Sequence, residues 1–436
     1  MINKQEFARR RQNLMQTMED GSIAIVASAQ ELVRSRDTHF MFRQDSDFHY
    51  LTGFPEPNAV LALIPGREHG EFVLFCNEKD LEHETWHGRR CGPEAAVDKY
   101  GADDAFPIDD IDDILPGLME GRRRIYYEMG KNNELDGRVM NWVNKIRSQV
   151  KKGAQPPGEF VDLRHALHDM RLFKSAAEIK LMRKSSEIAV DAHIRAMKTC
   201  KPGMTELDIE AELHYEFCRN GARFPAYASI VASGDNACIL HYTENESRLK
   251  NGDMLLIDAG AEYQGYASDI TRTFPINGKF TNAQKDLYNL VLKSQIAAIE
   301  MVRPGNHWMQ PHETAVDVLT DGMIELGILK GDKAQLIEDE AYKKYYMHKT
   351  GHWIGLDVHD VGDYTIDNEP RVLESGMVLT VEPAIYIPAD DESVDKKYRG
   401  IGIRIEDDIL VTAEGNDVLT AGVPKTVEEI ETLMAS

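Results

Sequence analysis

The stretch that most constrains this chain runs from Met254 to Phe274, MLLIDAGAEYQGYASDITRTF. It reads as two strands joined by a tight connection. Met254 to Ala259 is apolar until it reaches Asp258, and Ala267 to Phe274 carries Asp269 among Ile270, Thr271 and Thr273. A short apolar run flanked by Gly and followed by β-branched residues is a hairpin signal. A carboxylate in such a strand is costly to bury without compensation. Two of them facing each other across a ladder repel, and the usual compensation is a cation, in enzymes often a metal. A simple register sets Asp258 opposite Asp269; Gly265 points to a bulged turn rather than a strict two-residue one.

A second pair of strands repeats the theme. Gly376 to Ile387 reads GMVLTVEPAIYI and Gly400 to Val411 reads GIGIRIEDDILV, carrying Glu382 and Glu406. Alternation puts Gly402, Arg404 and Glu406 on one face, opposed by Ile401, Ile403 and Ile405. The simple antiparallel register sets Glu382 opposite Glu406 and Arg404 opposite Ala384. Between the hairpins, MHKTGHWIGLDVHDV supplies His348, His352 and His359. Gly351 and Gly355 argue for a loop or irregular strand, and no Glu follows His348 as a zinc-binding HExxH helix requires. Four carboxylates carry the charge of two divalent cations, and an oxygen-rich set with one imidazole suits Mn²⁺ or a similar ion better than a structural zinc. Two such ions can share a water and polarise a carbonyl, which is hydrolytic chemistry.

The rest of the chain is consistent with a soluble enzyme. At 436 residues, two domains are expected. A net charge of −23 argues against nucleic acid or an anionic membrane as the main partner. The five cysteines are scattered and lack CxxC spacing, which fits free thiols in a reducing compartment. The N-terminus lacks a secretory apolar segment and no run reaches transmembrane length, so the expected location is cytoplasmic. Strands alternating with helices over residues 1–170 predict a small α/β domain, with Lys151 to Gly158 as a natural break. Residues 171–436 show a faint duplication. Helices Ala177–Thr199 and Glu206–Asn220 precede the first hairpin; helices Asn282–Met301 and His312–Leu326 precede the second. A basic residue followed by Pro-Gly separates the helices of each pair, at Lys201-Pro202-Gly203 and Arg303-Pro304-Gly305.

Asp258 and Asp269 in IDAGAEYQGYASDITRTF, His352 in HKTGHWIGLDVHDVG, Glu382 in LTVEPAIY and Glu406 in GIRIEDD resemble the dinuclear metal motif of the pita-bread metallopeptidases. The pattern is most similar to their aminopeptidase P family. The similarity extends through FRQDSDFHYLTGF, RLFKSAAEIKLMR and CILHYTEN, so it covers nearly the whole chain. It departs at Gly351, where Ser is common, and at Ala384, where Gly is common. The resemblance implies a creatinase-like N-terminal α/β domain that closes on substrate and serves oligomerisation. It implies a C-terminal pita-bread domain with pseudo-two-fold symmetry, an α/β (α+β) chain overall. Asp258 would chelate one metal, Asp269 and Glu406 would bridge both, and His352 would bind the other with Glu382. A metal-bridging hydroxide would attack the scissile carbonyl, with Glu382 as proton shuttle and His359 on the oxyanion. His241 would contact substrate; His348, Arg404 and Tyr386 would shape a proline pocket; Asp37 and Trp86 would close the site, across a subunit interface.

The implied activity is removal of an N-terminal residue that precedes proline, with two divalent ions per subunit, Mn²⁺ foremost, in a homo-oligomer (dimer or tetramer). Prolidase activity on Xaa-Pro dipeptides is the close alternative. A pita-bread binding protein that has lost catalysis is disfavoured by the complete set of ligand positions.

Overall fold

The structure is a computed structural model that describes residues 2–436. The chain folds as two units that meet in sequence between Arg171 and Leu172. The N-terminal unit is built on strands β1 (Ser22–Ala27), β2 (Val60–Leu63), β3 (Phe72–Cys76), β4 (Asp104–Pro107), β5 (Arg124–Tyr127) and β6 (Glu159–Asp162). They are ordered β4-β3-β2-β1-β5-β6, antiparallel at β1–β2 and β2–β3 and parallel elsewhere. Helix α1 (Lys4–Thr17) starts at Asn3, whose side chain accepts from the Glu6 amide. Helices α2 (Ile111–Met119) and α3 (Asn133–Arg147) bury Leu115, Val139 and Trp142 against Ile23, Ile25, Val73 and Phe75 of the sheet. The Pro-Pro-Gly segment does not end the sheet, because β6 lies beyond it and pairs with β5.

The aromatic stretch after residue 45 forms a helix, Ser46–Thr52, capped by Asp45 and ended by Gly53 at φ 63°. Its Asp47 is buried and receives Arg171 Nη1 at 2.7 Å and His168 Nε2 at 3.2 Å. Burial pushes the Asp47 carboxyl up, but Arg171 and His168 outweigh it and hold it far below the usual carboxylate range. Burial lowers the His168 imidazole, and Asp47 and Glu128 outweigh that and raise it to about 9. The His168 contribution to stability is therefore complete below the ordinary imidazole value of about 6.5 and is lost as pH climbs through about 9. The expected loss is of order 1–3 kcal/mol, read by denaturant unfolding between pH 6 and 10. His168→Gln should remove this alkaline dependence, and an unchanged slope would contradict the assignment.

The C-terminal unit begins with helices α4 (Ala176–Thr199) and α5 (Glu206–Arg219), both opened by capping boxes. It continues through β7 (Ile230–Ser233), β8 (Met254–Asp258), β9 (Ala261–Tyr263), β10 (Tyr266–Ala267) and β11 (Thr271–Pro275). Helices α6 (Asn282–Met301) and α7 (Gln310–Glu325) follow, then β12 (Val378–Val381), β13 (Ala384–Ile387), β14 (Ile401–Arg404), β15 (Asp407–Val411) and β16 (Asn416–Val418). The duplication is present in the folded chain: two helices, then a hairpin, twice.

Each hairpin is interrupted at its middle. β8 pairs with β11 and β9 with β10 in one continuous register; β12 pairs with β15 and β13 with β14 in another. Gly260 stands in the first gap, where a Cβ would lie 1.7 Å from the Ser268 carbonyl oxygen. Pro383 stands in the second and has no amide to donate to the ladder. The second register agrees with the sequence expectation, with Ala384 opposite Arg404 and Glu382 level with Glu406. The first does not. Asp258 faces Thr271, not Asp269, and the turn at Gln264-Gly265 is a strict two-residue turn with φ of 52° and 86°. The irregularity lies at Gly260, not at Gly265. One bond remains on each side of it, from the Ala259 amide to the Ile270 carbonyl oxygen and from the Ser268 amide to the Ala261 carbonyl oxygen, both at 3.0 Å. The two halves join where Thr271 bridges to Glu406 and Arg272 reaches Asp407 at 2.8 Å, both fully buried.

Candidate active site

Alternation in the two continuous registers brings the acids together. Asp258 ends β8, Asp269 lies just before β11, and Glu382 and Glu406 sit in the gap of the second hairpin. Asp258 and Asp269 share one face of the first hairpin, Glu382 and Glu406 one face of the second, and all four line a cavity of about 480 Å³. Ligand atoms of Asp269, His352 and Glu406 all lie within 4.8 Å of one another. His352 Nε2 stands 3.4 Å from Asp269 and 3.7 Å from Glu382. Its loop runs beside β12, where the His352 amide meets Thr380 Oγ1 at 3.1 Å. A Cβ at Gly351 would lie 2.0 Å from the Thr380 carbonyl oxygen, so a side chain there would require this backbone to shift.

The electrostatics are those of crowded acids. Burial raises the Glu406 carboxyl well above its ordinary value, and Asp269, Glu382 and Asp258 add to it. Burial and the neighbouring Asp258 charge raise Asp269. Burial lifts Glu382 to about 7 against the pull of His352 and Arg404. Asp258 departs in the other direction: burial raises it, but Arg404 at 2.6 Å and the Tyr227 hydroxyl at 2.5 Å together hold it below the ordinary value. Burial lowers His352, but hydrogen bonding to Asp269 and the Glu382 charge raise it to about 9.

This donor set fits divalent cations. Four acids compete for too few positive partners, a deficit that two divalent ions remove. The His352 Nδ1 sits 3.0 Å from the Trp353 carbonyl oxygen, which can only accept. Nδ1 therefore carries a proton, and Nε2 is the nitrogen aimed at the acids, as a metal-binding imidazole requires.

A second group lines the same cavity. Arg404 Nη1 donates to the Tyr386 hydroxyl at 2.6 Å, which in turn lies 3.0 Å from His348 Nε2. His348 Nδ1 meets the Lys349 carbonyl oxygen at 2.8 Å. Arg404 only donates, so Tyr386 donates onward and His348 is held as a neutral imidazole; burial and Arg404 lower it to about 4. The His359 ring packs edge-on against His352 at 4.3 Å, and burial, His352 and His241 lower its pKa. His241 stands exposed at the cavity rim. Asp37 and Trp86 belong to the N-terminal unit, where both are exposed, Trp86 by 79%.

Sequence reasoning missed two contacts of the acids. The Tyr227 hydroxyl hydrogen-bonds both Asp258 and Asp269. Asp408 accepts the Asp269 amide at 3.0 Å from within the core. Tyr227 lies in FPAYASI, which carries no spacing signal; Asp408 stands two residues past Glu406 and was legible only as part of an acidic run.

The comparisons with known proteins agree with this geometry. The model of metallopeptidase family M24 matches residues 180–413, and that of the aminopeptidase P N-terminal domain matches residues 7–126. The chain belongs to metallopeptidase family M24. It is 49% identical to the Xaa-Pro aminopeptidase of Escherichia coli K12, covering 100% of this chain and 98% of that protein. It is 46% identical to the Xaa-Pro aminopeptidase of Haemophilus influenzae, covering 99% and 98%. Among solved structures, an aminopeptidase of Pseudomonas aeruginosa aligns with a TM-score of 0.99 at 60% identity over 100% of this chain and 98% of that one. Zinc-substituted E. coli aminopeptidase P in complex with product aligns at 0.97 and 49% identity, with the same coverage. The pita-bread fold and the two-domain M24 architecture follow.

Outer contacts of this kind tune metal affinity. Tyr227→Phe should leave Asp258 and Asp269 to repel without a shared donor and weaken metal binding about 10- to 100-fold. Competition with a chelator would measure this, and unchanged affinity would contradict it.

Proposed function

We propose that this protein is a two-metal aminopeptidase that removes the N-terminal residue ahead of a penultimate proline. The observation that carries the reading is full-length similarity to Xaa-Pro aminopeptidases combined with a complete donor set in one cavity. Two divalent ions held by Asp258, Asp269, His352, Glu382 and Glu406, with Mn²⁺ suited to so oxygen-rich a set, would acidify a water and polarise the scissile carbonyl.

The chain's own residues do the rest. Glu382, a carboxylate in the cavity beside His352, takes the water proton and passes it to the leaving proline nitrogen. His359 hydrogen-bonds the substrate carbonyl and the oxyanion that forms from it. His241 contacts the substrate at the rim. Neutral His348, with Tyr386 and Arg404, walls a pocket for the proline ring. That ring makes a tertiary amide, which offers no N–H and fixes the chain direction. Such a bond needs a shaped site. The exposed Asp37 and Trp86 are assigned to closing the site from a second subunit of a homo-oligomer. Among the described residues no helix is long and apolar enough to cross a membrane; we place the enzyme in the cytoplasm.

The substrate test compares Xaa-Pro with Xaa-Pro-Xaa peptides in Mn²⁺. Turnover of the longer peptides is expected, and activity confined to dipeptides would sink the aminopeptidase reading in favour of a prolidase. Asp269→Asn should lose at least ~10³-fold in kcat/KM, on the scale of losing one preorganised charge stabiliser. The metal-free variant should unfold at the same temperature as the metal-free wild type or higher, because a source of repulsion is gone.

A further inference from the structure

The loop that carries His241 has two buried polar anchors. One is Asn245, which bonds the Val231 amide, the Ser229 carbonyl oxygen and Glu210; the other is the Glu206 carboxylate on another element, which reaches both feet of the loop. Residues 234–238 form a short 3₁₀ turn after β7, and the chain then runs irregularly past His241. Among the described residues, no hydrogen bond between backbone groups involves residues 240–246. Glu206, fully buried at the first position of α5, reaches both feet of this loop. Its Oε1 accepts from the Ser233 amide at 2.8 Å, the Ser233 hydroxyl at 2.7 Å and Asn236 Nδ2 at 3.0 Å. Its Oε2 accepts from the Tyr242 hydroxyl and the Ser247 amide, both at 2.8 Å. The Glu206 amide donates to the Ser247 carbonyl oxygen at 3.0 Å.

No basic side chain pairs with Glu206 among the described residues. A buried carboxylate without a counterion is tolerated only when its lone pairs are filled, and here five donors fill them. The α5 N-terminus adds the favourable end of its dipole. A carboxylate is the group these donors require, because all of the lone pairs are needed as acceptors. An amide would turn N–H groups toward the Ser247 amide or toward Ser233, leaving donor against donor in a buried site.

We infer that Glu206 is a positioning residue for catalysis: it fixes the Ser233–Ser247 loop so that His241 stands over the cavity. Tyr242, next to His241 and itself buried, is the contact through which the carboxylate sets that residue's place. The inference rests on the proposed reading of His241 as a substrate contact, and its test separates the two.

The first arm needs no activity. Hydrogen exchange of the metal-loaded protein is compared for wild type and Glu206→Gln. The hydrogen-bonded amides of the loop and its feet, Ser233 and Ser247 on Glu206 and Ile239 on the Asn236 carbonyl oxygen, should exchange at least ~10-fold faster in the variant, with β8 and β11 still protected. Unchanged exchange in the loop, or a uniform rise across the unit, would overturn the inference. The second arm is a cycle with His241→Ala on an Xaa-Pro-Xaa peptide. Glu206→Gln alone should lower kcat/KM about 10- to 100-fold and Tyr242→Phe about 3- to 10-fold, with metal content unchanged. In the His241→Ala background Glu206→Gln should cost less than about 3-fold more. Full additivity would show that Glu206 does not act through His241 and would overturn the inference. If His241→Ala alone changes nothing, the reading of His241 fails, and the catalytic part of the inference fails with it. The exchange arm then still decides whether Glu206 holds the loop.

Discussion

Mutual repulsion among four buried carboxylates is the constraint on which the site depends. Asp258, Asp269, Glu382 and Glu406 share one cavity with the Arg404 guanidinium and the His352 imidazole, while His348 in the same cavity is held neutral. Three of the four are pushed toward their protonated forms, and the fourth is held ionised only because Arg404 and Tyr227 attend to it. Such an arrangement persists because the surrounding sheet is stable enough to carry it. Arg272 and Asp407, both fully buried, bind the two hairpins together directly behind the acids. Gln295 and Lys425 add donors to Asp407 at 2.8 and 2.9 Å. A pair with so many partners avoids the uncompensated charge that makes buried ion pairs costly. The fold thus sets a paired charge cluster, with only Arg272 Nε left unbonded, next to the crowded acids.

The same design appears twice, because each half keeps one register across a locally thinned ladder. Alternation then places Asp258 and Asp269 on one face of the first hairpin and Glu382 and Glu406 on one face of the second. The thinned places at Gly260 and Pro383 lie at matching positions, and the acid-bearing faces of both halves line one cavity. Thr271, bridged to Glu406 and donating to its carboxylate at 2.6 Å, shows how closely the halves interlock there.

How much of this was legible from the residues varies with the physics involved. Helix Asn282–Met301 was readable to its ends, because Thr281 with Gln284 makes a capping box and Arg303-Pro304-Gly305 follows the last turn. The Ala384–Arg404 pairing was readable because alternation left a single sensible register. The Asp258 pairing was misread because the register is set by the turn. Two left-handed residues at Gln264-Gly265 pair Tyr263 with Tyr266, which carries Asp258 opposite Thr271, and Gln264 in that conformation is not announced by its residue type. The acids themselves stood out, as charged residues in apolar strands do. Tyr227, Asp408 and Glu206 did not, because their importance lies in hydrogen bonds to residues far away in sequence: 42 positions from Tyr227 to Asp269, 139 from Asp408 to Asp269 and up to 41 from Glu206 to Ser247.

The central claim is that two paired hairpins gather these acids on facing sides of one cavity so that the set would hold two neighbouring cations. Titration of metal-free protein with Mn²⁺, followed by electron paramagnetic resonance, tests it most directly. The account predicts two ions bound per chain and a spin-coupled spectrum, because two ions held by this one donor set would lie about 3.5–4 Å apart. Saturation at one ion, or two ions with uncoupled spectra, would contradict it.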